Sequence, residues 1–250
     1  MNSTRRIAVV AGVLFVLATA SSLVAATFVP ALAGADYLSG VALHVDGMAV
    51  AALFYVVAAF ASVGIAISMY PVMRRSAAGL ALGSVVFRAL EAAFYMVAVV
   101  CLLSLLEVGR QYATATGADR TALLAVGDTL VGIREHASVV AVLAFCLGAF
   151  LYYALFFQAR LVPRWLSGWG IVAIVLLLIA CVLALFSSNP ITGYVALALP
   201  LAVQEMVLAV WLIVVGFGPS ATVPSTEGGL GGMAASDARE TPGRRPSATR

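Results

Sequence analysis

Six apolar stretches, each long enough to cross a bilayer, constrain this chain more than any other feature of its sequence. They run over residues 7–28, 45–69, 77–106, 137–158, 167–186 and 194–217. A hydrocarbon core about 30 Å thick is spanned by about 20 helical residues. The strands of a membrane barrel would alternate apolar and polar residues, whereas these stretches are apolar on every face. A helix also satisfies its own backbone N–H and C=O groups, which lipid cannot do. The expected fold is therefore all-α, a polytopic membrane protein with six transmembrane helices occupying residues 1–217. The tail at 218–250 is rich in Gly, Pro, Ser and Thr, buries no core and is expected to be disordered.

Composition points the same way. The chain is 63% hydrophobic and 10% charged, with a mean hydropathy of +1.09, against about 45–50% apolar and about 25% charged residues in a soluble domain. A soluble globular domain and a nucleic-acid binder with a basic face are both excluded. The first stretch follows Arg5 and Arg6 and so resembles a secretory signal. Its apolar run of about 22 residues exceeds the 7–15 of a signal core, so the first helix is expected to be retained.

All 14 basic residues are arginines, and they sort by loop. Alternating spans place Arg5, Arg6, Arg74, Arg75, Arg160 and Arg164 on one side, joined by Arg239, Arg244, Arg245 and Arg250 of the tail. Arg110, Arg120 and Arg134 fall on the other side, offset by Asp36, Glu107, Asp119, Asp128 and Glu135. The positive-inside rule then predicts a cell-membrane protein with both termini in the cytoplasm. The external segment from Glu107 to Arg134 is the one long connection. Asp119 is positioned to cap a helix there, with Ala122, Leu123, Val126, Leu130 and Ile133 on one apolar stripe. An interfacial helix leading into the fourth span is expected. Gly79 and Gly83 form a GxxxG step that permits close helix packing. Trp165 and Trp169 flank the start of the fifth span, where an aromatic belt belongs.

An ionisable side chain in a span costs at least about 2.5–3.5 kcal/mol on insertion scales and usually faces a partner. Arg88 and Glu91 lie three residues apart on one face of the third span, and Glu205 lies mid-way along the sixth, beside Gln204. At 1.5 Å per residue, Arg88 is roughly 16 Å and Glu205 roughly 18 Å from the cytoplasmic ends of their spans. The matching depths predict that Arg88 pairs with Glu205, with Glu91 close by. One positive and two negative groups would titrate as a unit, which makes a proton-coupled step chemically available. The competing reading is a buried ion pair that fixes helix register. Pro200, five residues before Glu205, is expected to kink the sixth span. Two halves of three spans would have inverted topology, as in many secondary transporters, with Glu91 and Glu205 on the third span of each half. No residue-level match joins the halves.

His44, Asp46, Glu135 and His136 form a second polar group near the external ends of spans two and four. Imidazole and carboxylate suit a transition metal, but the spacing fits no metal motif, and ordinary interfacial polar residues are the better expectation. Cys101, Cys146 and Cys181 all fall within spans, and an odd buried count argues for packing rather than a disulfide framework. No GxSxG, HExxH, Walker or dinucleotide glycine pattern is present, so no catalytic residue and no cofactor is assigned and enzyme chemistry lacks a nucleophile.

The chain resembles the bacterial multi-span membrane family catalogued as domain of unknown function 4386. The resemblance rests on RRIAVVAGVLFVL at 5–17, FRALEAA at 87–93, LVPRWLSGWGIV at 161–172, and Pro200, Glu205, Trp211 and Gly216 within 200–216. It spans roughly residues 5–217 and implies a helical membrane protein of unknown activity, with Arg88, Glu91 and Glu205 at polar positions of the family pattern. Three functions compete. The first is small-molecule binding or transport at a midplane Arg/Glu site formed by Arg88, Glu91, Gln204 and Glu205. The second is a non-catalytic scaffold associated with a membrane-protein partner. The third is a metal-dependent intramembrane enzyme built on the His/acid group. The lipid bilayer is the partner in all of them, and nucleic acid in none.

Overall fold

The computed structural model describes residues 3–187 and 190–218. Its elements are α1 (Ser3–Phe28), α2 (Tyr37–Leu43), α3 (Val45–Met73), α4 (Ala78–Thr114), α5 (Ala118–Gln158), α6 (Arg164–Phe186), a 3-10 turn (Ile191–Tyr194) and α7 (Val195–Val214). Among the described residues there is no strand. Six helices are long and apolar enough to cross a membrane: α1, α3, α4, α5, α6, and α7 together with the 3-10 turn before it. Their outward faces carry bare apolar side chains. Phe60, Val100, Val172 and Val210 are each more than half exposed, a surface compatible with lipid and not with water.

Each span packs against its neighbours in the chain, and α7 returns to pack on α1. The six therefore close into a ring in the order α1, α3, α4, α5, α6, α7. Apolar packing fills the ring at both ends. At the end that carries Arg5, Arg74 and Arg164, the filling includes Phe15, Met69, Tyr152, Tyr153, Phe156 and Leu208. At the other end it includes Leu38, Met48, Leu102, Leu105 and Tyr112.

The arginine end is stitched by main-chain acceptors. Arg5 donates from Nη1 to Leu212 O at 2.9 Å and from Nη2 to Ile213 O and to Val214 O, the latter at 3.1 Å. These are the orphan carbonyls of the last turn of α7, where the helix dipole also favours a cation. Gly216, at φ +88°, ends α7, and its N–H donates back to Trp211 O at 3.0 Å. The N–H of Gly218 donates to Leu161 O at 2.8 Å. Of the tail expected to be disordered, residues 219–250 lie outside the described residues.

The segment from Glu107 to Arg134 departs from expectation. It is not a separate interfacial helix. The helices α4 and α5 simply continue, to 37 and 41 residues, which at 1.5 Å per residue is roughly 55 and 60 Å and well beyond a bilayer core of about 30 Å. They form an antiparallel hairpin closed at Gly117, whose φ of +61° strains any residue with a Cβ. Asp119 is in the first turn of α5 and does not cap it; Gly117 is the N-cap. Leu123 and Leu130 of the expected stripe pack inward, joined by Leu124 and Val131, while Val126 and Ile133 stay exposed. The partner for the inward face is the short helix α2, which no sequence pattern announced. It buries Tyr37, Leu38 and Val41 against the hairpin. Asp36 at its start accepts from Ser39 Oγ at 2.8 Å, Tyr112 OH at 3.0 Å and Arg120 Nη2 at 3.0 Å, and the Arg120 guanidinium lies 4.1 Å from the Tyr112 ring centre. These donors, Ser39 first and then Tyr112, hold the Asp36 carboxyl below its ordinary range.

Small residues set the closest helix approaches, as packing in lipid requires. The Gly79–Gly83 step contributes only in part. A Cβ at Gly79 would meet nothing within 4 Å, and one at Gly83 would meet Leu151 at 3.0 Å. The tighter contacts are elsewhere, at Gly12 against α7 and at Gly170 against the Tyr153 ring. Pro200 lies inside α7, which remains a single helix through it. The three cysteines are buried free thiols.

Candidate functional site

Between its two apolar clusters the ring holds a central cavity of about 390 Å³, to which all six spans contribute. From α1 come Thr19 and Ser22, from α3 Tyr55 and Ser62, from α4 Arg88, Glu91 and Tyr95, from α5 Phe145, from α6 Leu177, and from α7 Ala198, Ala202 and Glu205. Its size lies within the range of small-molecule sites, about 300–1,000 Å³.

Arg88 and Glu91 sit one helical turn apart, so both point into the ring from α4. Arg88 Nη1 is 3.1 Å from Glu91 Oε2, and both side chains are almost wholly buried. Ser62 Oγ on α3 donates to the other oxygen of Glu91 at 3.1 Å. The Arg88 guanidinium carbon lies 4.6 Å from the centre of the Phe145 ring, an attractive cation–π placement. Its aliphatic stem passes over Gly148, where an added Cβ would come within 3.3 Å of Arg88 Cγ and Cδ. Among the described residues nothing accepts a hydrogen bond from Arg88 Nε, and the nearby buried Ser84 Oγ is likewise without a partner.

The pairing differs from the sequence expectation. Arg88 forms its ion pair within α4, to Glu91 and not to Glu205, because the i,i+3 partner needs no helix-to-helix reach. Glu205 stands on another wall of the same cavity. Its Oε1 accepts only a long bond, 3.4 Å, from Tyr152 OH, where a hydrogen bond from a hydroxyl to a carboxylate is typically about 2.5–2.7 Å.

Gln204 is not part of this group. One residue along α7 rotates its side chain about 100° away, into the seam with α5 and α6. There Tyr153 OH donates to Gln204 Oε1, and Gln204 Nε2 donates to Leu166 O at 3.0 Å. A fully buried amide with both ends satisfied is a staple between three helices. Tyr55, Tyr95, Ser62, Phe145 and Tyr152 were not singled out from the sequence. Tyr95 was legible in principle, since it continues the Arg88–Glu91 face at i+7. The others reach the site from helices distant in the chain.

A second cavity, of about 210 Å³, shares Tyr55, Tyr95 and Val142 with the first. It extends to Arg134, Glu135 and Ser138 and to Ile191 and Thr192 of the 3-10 turn. The two tyrosines thus stand between the central cavity and the end of the ring opposite the arginines. At the arginine end, Phe15, Tyr152, Tyr153 and Phe156 are packed ring on ring and are at most 1% exposed.

The His/acid group is not assembled. His44 Nδ1 bonds Gly40 O at 2.8 Å and His136 Nδ1 bonds Gly132 O at 2.7 Å, each the carbonyl four residues back in its own segment. Asp46 lies in the first turn of α3, and Glu135 lines the second cavity. Among the described residues no three His, Cys, Asp or Glu side chains are grouped to hold a metal.

Comparison with curated proteins and with solved structures gives no match. A family model described as Domain of unknown function (DUF4386) matches residues 10–216, which takes in five spans whole, the first from residue 10 onward, and every residue of the central cavity. The chain is a member of that family, a helical multi-pass membrane protein with Arg88, Glu91 and Glu205 gathered at a cavity in the middle of a six-helix ring.

Proposed function

We propose that this chain is a plasma-membrane protein with cytoplasmic termini that binds or transports a small molecule in its central cavity. The supporting observation is the cavity itself. It holds an arginine and two carboxylates at membrane depth, with room of about 390 Å³ beside them. A purely structural ion pair is better served by close packing and a full set of hydrogen bonds around it. Glu205 in particular has too weak a partner to be explained as a register pin. The orientation rests on the sorting of arginines to one end of the ring. In a background without the native cysteines, a cysteine at Arg75 should be protected from an impermeant thiol reagent added outside cells, and one at Asp119 should react. The reverse pattern rejects the orientation.

The binding reading is tested on purified protein in detergent, wild type beside Glu205→Gln, against metals, a chelator, lipids, amphiphiles and small metabolites. A ligand should raise the thermal midpoint of the wild type and not of the variant. If no compound shifts either protein and the variant is merely less stable, the polar group is structural and a scaffold function with a membrane-protein partner takes its place.

A further inference from the structure

The balance of charge around the cavity determines what kind of molecule it can hold. Arg88 is the one positive group in its lining, and it is paired within α4, with its Nε left without an acceptor among the described residues. Glu91 lies at 3.1 Å and the Phe145 ring covers its guanidinium at 4.6 Å. Ser62 completes Glu91. The group left over is Glu205, a carboxylate on the α7 wall whose one donor among the described residues is Tyr152, at 3.4 Å. An anion entering this space would add a third negative charge to a site with one positive. A cation would replace the missing donor. The remaining walls suit the body of such a molecule, because Tyr55 and Tyr95 present aromatic rings and Ala198, Leu201 and Ala202 present apolar surface. The neighbouring cavity leads past Tyr55 and Tyr95 to a lining that carries one arginine, Arg134, and one glutamate, Glu135, so the approach itself sets no barrier of either sign. The opposite end carries the arginines and is sealed by aromatic packing.

From these placements we infer that the central cavity takes an organic cation, a protonated or quaternary ammonium with an apolar or aromatic body, its nitrogen at Glu205. The inference rests on reading the cavity as a ligand site and specifies the ligand class. Glu91 is committed to Arg88, so Glu205 is the anion that recognises the ligand.

Three probes of nearly equal shape separate the possibilities: phenethylammonium, 2-phenylethanol and phenylacetate, each titrated at constant ionic strength into the full chain in nanodiscs while the thermal midpoint is followed. Phenethylammonium should raise the midpoint by about 2 °C or more near saturation. The other two should not. Glu205→Gln should weaken the apparent affinity at least tenfold. Ala202→Phe, which fills the α7 wall without touching a charge, should abolish the shift and gives an independent reading if Glu205→Gln folds poorly. A shift from phenylacetate, or an equal shift from 2-phenylethanol, overturns the cation assignment while leaving the cavity a binding site. No shift from any of the three overturns both. A phenethylammonium shift that survives unchanged in Ala202→Phe places the ligand elsewhere and overturns the assignment as well.

Discussion

Glu91→Leu is expected to destabilise the folded protein by about 3–5 kcal/mol, the usual cost of removing one partner from a buried ion pair. The substitution leaves the Arg88 guanidinium almost wholly buried, with Glu205 as its nearest remaining anion across the cavity. It also strips Ser62 Oγ of its acceptor. The double variant Arg88→Met/Glu91→Leu removes both charges at similar volume and should recover most of the loss, since replacing a whole buried pair by apolar groups is often neutral or stabilising. Thermal midpoints of the four proteins of this cycle, in one detergent, decide the matter. Equal losses in the single and double variants would show that Arg88 is not left uncompensated and would refute the pairing. Glu205→Gln added to Glu91→Leu should cost more than the sum of the two alone, because the second carboxylate is what shields Arg88 once the first is gone.

Gly12→Ala should be among the most damaging changes of a single methyl group. The seam between α1 and α7 closes the ring, and at Gly12 the two backbones come so close that an added Cβ would meet Ala209 O at 2.7 Å and Ile213 Cγ1 at 2.6 Å. The isoleucine can turn aside, but the carbonyl oxygen belongs to the α7 backbone and moves only with the helix. Overpacking of this kind costs about 1–3 kcal/mol, and Gly12→Val should cost more. Gly79→Ala is the control, because a Cβ there meets nothing within 4 Å. A melting comparison in detergent should show Gly79→Ala within about 0.5 kcal/mol of wild type. Equal midpoints for Gly12→Ala and Gly79→Ala would mean that the α1–α7 seam tolerates separation. The seam also carries the cavity wall, with Thr19 and Ser22 on one side and Ala198, Ala202 and Glu205 on the other. Gly12→Ala should therefore also weaken any ligand-induced shift.

The spans were readable because lipid imposes a one-dimensional rule. A run of apolar residues of sufficient length must be a helix, and its ends fall where charges begin. That rule fails at the hairpin closed at Gly117. There α4 and α5 run on past the length of a span and pack against α2, so residues such as Leu123, Leu124 and Val131 are partly covered by protein. An amphipathic stripe looks the same in either setting, and only the partner distinguishes them. The seven residues of α2 are too few for any periodicity to declare.

The candidate site divides along the same line. That Arg88, Glu91 and Glu205 belong together followed from the cost of charge in a membrane, which confines such residues to a few places at matching depth. Sequence alone determined the all-helical class, the number of spans, the sorting of arginines and the short list of buried ionisable groups, because each depends on a transfer free energy that a residue carries wherever it sits. Tertiary structure decided the rest. It joined Arg88 to Glu91 and left Glu205 nearly unpartnered, turned Gln204 into a seam, kept His44 and His136 on their own carbonyls, and set Tyr55 and Tyr95 between two cavities. Those outcomes turn on the rotation of each helix about its axis. In lipid the hydrophobic effect does not set that rotation, and close packing at residues such as Gly12 and Gly148 does.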